Sequence, residues 1–132
     1  MNRLSATIAS VQQYESLYLL ELDASGITLT LLLFDLNPRF AVGSKVQVLF
    51  KETEVIVAKE LQGEISLNNR FQATVINIKK GNILADITLQ CPAGTIASII
   101  TMSALDRMRL LQHDEVTVLI KATQLSLEAQ IT

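Results

Sequence analysis

The chain has 132 residues, of which 49% are hydrophobic and 18% are charged, and its formal net charge at pH 7 is -2. This length suits one domain or two very small ones, and the acidic balance excludes the global basic footprint of a nucleic-acid-binding protein. The longest apolar run, near Leu31, is far shorter than the about 20 residues of a membrane span, so no membrane partner is expected. The start of the chain lacks a signal-peptide core, and the single cysteine, Cys91, cannot form an internal disulfide. These features favour the reducing cytoplasm.

Ten β-strands are predicted, because most segments alternate apolar and polar residues with a period of two. The first five fall at residues 4–11, 17–23, 27–34, 45–50 and 54–58, and the second five at 71–78, 83–89, 95–101, 115–120 and 124–131. One short helix is predicted from Ser103 to Leu111, because Ser103 to Asp106 has the S-x-x-D form of a capping box.

The two sets of five strands indicate an internal duplication. RLSATIASV at 3–11 aligns with RFQATVINI at 70–78, and VQVLFKETEVIV at 46–57 aligns with VTVLIKATQLSL at 116–127. The alignment places Asn2 on Asn69 and Lys51 on Lys121. We therefore predict two tandem modules, residues 1–64 and 65–132. Five strands in so short a module suggest a small closed barrel, which leaves no free sheet edge, and strand exchange between the modules would add stability.

The sequence offers little for catalysis or for a metal site. The only histidine, His113, lies in a predicted loop beside acids, and Cys91 precedes Pro92 in a predicted hairpin turn. A lone thiol without a second cysteine or a histidine partner is a poor nucleophile and a poor metal ligand set, and no glycine-rich phosphate-binding motif is present. We therefore predict that the protein is not an enzyme and holds no metal ion through its side chains.

Three segments of the second half are rich in hydrogen-bond donors and free of acids: residues 66–70, 101–104 and 121–123. Taken singly, each has an ordinary explanation, as a turn between modules, a helix cap or a solvated lysine. The first N–H groups of a helix, however, lack partners and carry partial positive charge. The first half has five Lys and Arg against eight Asp and Glu, a net charge of -3, and the second has six against five, a net charge of +1. An anion would therefore favour the second half.

Residues 66–131 resemble the molbindin or Mop domains, which are modules of the TOBE type. SLNN at 66–69 is similar to the opening S-A-R-N of the family, and GNILADI at 81–87 is similar to G-A-V-N-A-E-V. ITMSALDRMRL at 100–110 matches V-T-x-E-S-V-x-x-L-G-L at its threonine, and IKATQLSL at 120–127 is close to I-K-A-S/T-x-V-x-L. The resemblance covers the second half well and the first half weakly.

The resemblance implies an all-β fold of two tandem five-stranded OB-like barrels, each with at most one short helix. It implies a cytoplasmic protein for storage or homeostasis that binds molybdate or tungstate as the oxyanion, with no other cofactor. Sites in the family lie between modules, so a homo-oligomer, a trimer or a dimer, is expected. Lys121 would supply the positive charge. Hydroxyl donors would come from Ser66, Thr101, Ser103 and Thr123, and backbone N–H donors from Leu67, Asn68, Ala104 and Ala122.

Two other functions compete with this hypothesis. The first is a regulatory or protein-interaction module, like the effector portion of a molybdate-responsive regulator, whose anion site has decayed. Departures from the family pattern at Asn68, Leu84 and Ala104 favour it, as does the acid-rich first half. The second is an OB-fold for single-stranded nucleic acid, which needs stacking aromatic residues and a basic groove. The absence of tryptophan and the acidic balance argue against it, so no direct nucleic-acid partner is predicted.

Overall fold

The computed structural model describes residues 1–130, which form ten β-strands, one α-helix and two single 3-10 turns. All ten predicted strands are present. The last predicted strand ends at Ile131 and the second predicted module at Thr132, and both residues lie outside the described residues. The strands are β1 Asn2–Tyr14, β2 Leu17–Ala24, β3 Ile27–Leu33, β4 Lys45–Phe50, β5 Ile56–Ala58, β6 Asn69–Lys80, β7 Leu84–Cys91, β8 Gly94–Thr101, β9 Glu115–Ile120 and β10 Ser126–Ala129; the helix is α1 Met102–Met108, and the 3-10 turns are Glu52–Glu54 and Ala122–Gln124.

The strands form two antiparallel five-stranded sheets that exchange their last strands. The first sheet has the order β10-β4-β1-β2-β3 and the second has the order β5-β9-β6-β7-β8. Leu127 of β10 lies opposite Val48 of β4, and Val57 of β5 lies opposite Val118 of β9. Each half of the sequence therefore completes the sheet of the other half. The sheets therefore do not divide at the predicted module boundary between residues 64 and 65.

Both sheets curl at equivalent places. The pairing of β1 with β2 shifts by one residue between Ile8 and Ser10, and the pairing of β6 with β7 shifts between Val75 and Asn77. Such bulges bend a strand and increase its twist, which is how a short sheet closes towards a barrel. The curled sheets bury apolar side chains from both halves in one continuous core.

The core follows from the alternation that predicted the strands. In β1 the side chains of Leu4, Ala6 and Ile8 point inward, and in β7 those of Ile87 and Leu89 are fully buried. Burial of a leucine or isoleucine side chain contributes about 1.5–3 kcal/mol relative to exposure. Within residues 1–130 no helix has the length and apolar character needed to cross a membrane.

The predicted helix is present, but the predicted cap is wrong. Strand β8 runs on to Thr101, whose extended backbone makes it the N-cap residue, and its hydroxyl accepts a hydrogen bond from the Ala104 N–H (3.1 Å). Ser103 lies inside the first turn, so the S-x-x-D pattern does not form the capping box. The helix ends at Met108, before the predicted end at Leu111. Its C-cap residue, Arg109, adopts the left-handed conformation with φ of 52°.

The connection between the halves is held against the end of this helix. The Lys59 ammonium donates to the Arg109 carbonyl (3.0 Å) and forms an ion pair with the Asp114 carboxylate (3.1 Å). The backbone N–H of Leu111 and then Lys59 lower the pKa of Asp114, so this carboxylate is ionised at neutral pH. A cation at a helix C-terminus is favourable, and the contact fixes where the second half begins relative to α1.

Candidate functional site

A small cavity lies where β6 begins and β9 ends. Asn69 of β6 pairs with Ile120 of β9, and beyond this pair the two chain segments diverge. The gap between them is a cavity of about 170 Å³. Six of the nine predicted site residues line it: Ser66, Leu67, Asn68, Lys121, Ala122 and Thr123.

The 3-10 turn Ala122–Gln124 forms one wall of the cavity. Lys121 has an extended backbone, with φ of -67° and ψ of 142°, and its carbonyl accepts a hydrogen bond from the Gln124 N–H (2.9 Å). A turn of this kind leaves its leading N–H groups without an internal partner. Ala122 and Thr123 occupy those leading positions, so the backbone supplies donors beside the lysine.

The cavity is electrostatically suited to an anion. Its lining contains one lysine, two hydroxyl side chains and an amide, and no carboxylate. Lys121 is exposed, and within the described residues it forms no salt bridge. Its positive charge is therefore available to a ligand.

The other three predicted site residues lie elsewhere. Thr101 pairs with Leu84 at the end of β8, whereas Lys121 follows the end of β9, and the strand pairings place these two ends at opposite sides of the second sheet. The Thr101 hydroxyl lies 3.2 Å from that of Ser103, and it already accepts the Ala104 N–H. The Ala104 N–H is thus used in the helix cap, and within one chain this group does not meet the cavity.

The equivalent place in the first half has the opposite character. Lys51 corresponds to Lys121, but Glu52 and Glu54 stand where the second half has Ala122 and Gln124. The cavity there is about 110 Å³ and is lined by Lys51 and Glu54 among others. Carboxylates offer only acceptors to a ligand, so this cavity is unsuited to an oxyanion.

A larger cavity of about 240 Å³ lies beside the turn between β6 and β7. Lys79 and Lys80 border it, but so do Asp86 and several apolar side chains. Its walls are mainly apolar, and they lack the hydroxyl and amide donors that line the cavity at Lys121. This cavity is therefore a poorer anion site although it is larger.

One residue beside the cavity lies in a predicted donor-rich segment but is absent from the predicted site residues. The side chain of Asn69 is fully buried and makes two hydrogen bonds to the backbone of Thr30, in the other half of the chain. The signal for it was present in the sequence, because Asn2 and Asn69 are matched in the repeat. A buried amide with this kind of role could have been inferred from that match.

Comparisons with known proteins agree with this architecture. The TOBE domain family matches residues 65–127. Molybdenum-pterin-binding protein 1 of Clostridium pasteurianum is 32% identical over 66 residues, which are 49% of this chain and 97% of that protein.

One solved structure gives the same fold over nearly the whole chain. The cytoplasmic molybdate-binding protein ModG, solved with molybdate bound, superposes with a TM-score of 0.89 at 22% identity, covering 98% of this chain and 96% of that one. A molybdate-binding protein from Sporomusa ovata is 31% identical, covers 53% of this chain and 98% of its own, and has a TM-score of 0.45. The predicted fold of two five-stranded OB-like modules is confirmed, and the chain belongs to the molbindin (Mop) family of TOBE-domain proteins.

Proposed function

We propose that this protein binds molybdate or tungstate without catalysis, for storage or homeostasis in the cytoplasm. The observation that carries the proposal is the acid-free cavity at Lys121, which gathers six residues expected from sequence. The names of the relatives support it, because ModG is described as a cytoplasmic molybdate-binding protein.

The chemistry of the ligand fits the cavity. Molybdate is a tetrahedral dianion whose four oxygens accept hydrogen bonds, so its site needs donors and no carboxylate. The hydroxyls of Ser66 and Thr123 and the N–H groups of Leu67, Asn68 and Ala122 are donors of the required kind. Each hydrogen bond to a charged group contributes roughly 1.5–3 kcal/mol. Lys121 compensates one of the two negative charges.

A second copy of the chain would complete the site. The Thr101 and Ser103 hydroxyls lie at the opposite end of the sheet, so they could reach an anion only in a neighbouring copy, whereas the Ala104 N–H is held in the helix cap. Ile83 and Leu84, which adjoin this group, are 76% and 48% exposed. Exposed apolar side chains beside functional groups are typical of an interface. This arrangement supports a homo-oligomer, a trimer or a dimer, with sites between subunits.

Calorimetric titration with sodium molybdate tests the function. We expect saturable binding to the wild-type protein and weak or no binding of sulfate. Lys121→Ala should weaken binding by about tenfold or more, because one charge-assisted hydrogen bond is lost. Lys51→Ala is the matched control and should leave the affinity unchanged. Absence of binding heat and of any thermal shift with millimolar molybdate and tungstate would refute the proposal.

The second candidate is a regulatory or protein-interaction module with a decayed anion site. Asn68 favours it, since the family's arginine at this position would bring a second positive charge, and so do Glu52 and Glu54 in the first half. Metal analysis of the natively purified protein separates the two functions. Molybdenum or tungsten that copurifies with it supports the binding protein, and a stable protein partner without either metal supports the interaction module.

A further inference from the structure

A buried asparagine ties the cavity to the other half of the chain. The Thr30 N–H donates to Asn69 Oδ1 (2.6 Å), and Asn69 Nδ2 donates to the Thr30 carbonyl (2.9 Å). Thr30 lies in β3, the edge strand of the first sheet. Its outward backbone groups would otherwise be unpaired, so the amide of Asn69 takes the place of a neighbouring strand.

The same contact occurs a second time, related by the internal duplication. The Ala97 N–H donates to Asn2 Oδ1 (2.8 Å), and Asn2 Nδ2 donates to the Ala97 carbonyl (2.8 Å). Ala97 lies in β8, the edge strand of the second sheet. The two asparagines therefore make chemically identical contacts, each from one half of the chain to the edge strand of the other.

The surroundings of the two contacts differ. Asn69 directly follows Asn68, which lines the cavity, and its strand partner Ile120 directly precedes Lys121, which lines the opposite wall. The 3-10 turn Ala122–Gln124 packs against β3, as its counterpart Glu52–Glu54 packs against β8. Both walls of the cavity thus rest on β3. Beside Asn2 the corresponding turn carries Glu52 and Glu54.

We infer that Asn69 is a positioning residue for the oxyanion cavity, which holds residues 66–68 and the end of β9 at a fixed separation by binding the backbone of Thr30. This inference rests on the proposed function. Ordering a flexible site on binding costs free energy. A cavity that is ordered before the ligand binds avoids this cost and therefore has a higher affinity. Loss of the amide would free the start of β6 and spread the donors of residues 66–68 over several orientations.

The test compares Asn69→Ala with its matched control, Asn2→Ala, in the full chain. Each variant loses two hydrogen bonds to an edge strand, so both melting temperatures should fall. Only Asn69→Ala should weaken sodium molybdate binding, by about tenfold, with Asn2→Ala remaining within about twofold of the wild type. Asn69→Ser, whose hydroxyl can hold a bridging water against Thr30, serves if the alanine variant does not fold.

Amide hydrogen exchange without ligand provides a second readout. Exchange of the amides that pair the start of β6 with the end of β9, at Arg70, Leu119 and Ile120, should accelerate in the Asn69 variant and not in Asn2→Ala. Unchanged affinity and exchange in the Asn69 variant, or equal loss of affinity in both variants, would overturn the inference. Failure of the proposed function gives a different result, because the wild-type protein itself would then not bind molybdate.

Discussion

Replacement of Ala122 by glutamate is expected to abolish molybdate binding. The new carboxylate would stand beside Lys121 in the cavity wall, neutralise its charge and repel the dianion. Two unit charges about 4 Å apart interact by about 4 kcal/mol near a protein surface, which corresponds to roughly a 1,000-fold change in affinity. Allowing for screening by salt, the Kd should rise by at least about 100-fold in calorimetric titration. The first half already carries this change, since Glu52 occupies the equivalent position.

Ala129→Glu is the matched control for this substitution. Ala129 is exposed and lies in β10, which belongs to the first sheet. The Ala129→Glu variant carries the same added charge as Ala122→Glu. If the loss of binding depends on a carboxylate inside the cavity, the molybdate affinity of Ala129→Glu should stay within about twofold of the wild type. If the Ala122→Glu variant is folded and binds molybdate with wild-type affinity, the cavity at Lys121 is not the molybdate site.

Cleavage of the chain between its two halves is expected to leave them associated. A protease site introduced at Gly63, an exposed residue of the connection, would separate residues 1–63 from the rest of the chain. Because β5 and β10 are exchanged between the sheets, and two buried asparagines bind the opposite edge strands, the fragments should remain one particle. Light scattering after size exclusion should give the same mass before and after cleavage.

The halves produced separately provide the complementary result. Each would carry a strand that pairs with the other sheet in the full chain, and would lack the strand that completes its own sheet. Neither should remain a folded monomer, because the uncovered edges of β4 and β9 favour pairing with other chains. A second half that unfolds cooperatively as a monomer, or cleaved fragments that separate in buffer, would contradict this prediction.

Local sequence predicted the elements of this fold well. Strands β4 and β9 have the predicted bounds, because VQVLF and VTVLI are rich in β-branched and apolar residues and each is followed by a lysine. The helix was predicted, but its cap was misassigned, since Thr101 and Ser103 are both capping residue types. Only the extended backbone at the end of β8 selects Thr101. A capping motif depends on where the preceding strand ends, and a short pattern does not contain that information.

The candidate site was predictable only in part. The composition of the sequence identified the donor-rich segments. Those at 66–70 and 121–123 meet because Asn69 pairs with Ile120. The segment at 101–104 carries the same chemistry but lies at the other end of the sheet. Periodicity gives no measure of the distance between strands that are remote in sequence. The contact of Asn69 with Thr30 depends in the same way on how the two sheets dock.

The sequence by itself determined the strands, the duplication and the unequal charge of the halves, because these depend on residue type and order alone. Tertiary structure decided which sheet each last strand joins. β5 and β10 are both short strands that follow a 3-10 turn, so their local sequences do not specify a sheet, and docking of the halves selects the exchanged arrangement. The tertiary structure also decided that the first half supports the cavity of the second half. Asn69 and the 3-10 turn Ala122–Gln124 contact β3 only because the two sheets dock against each other.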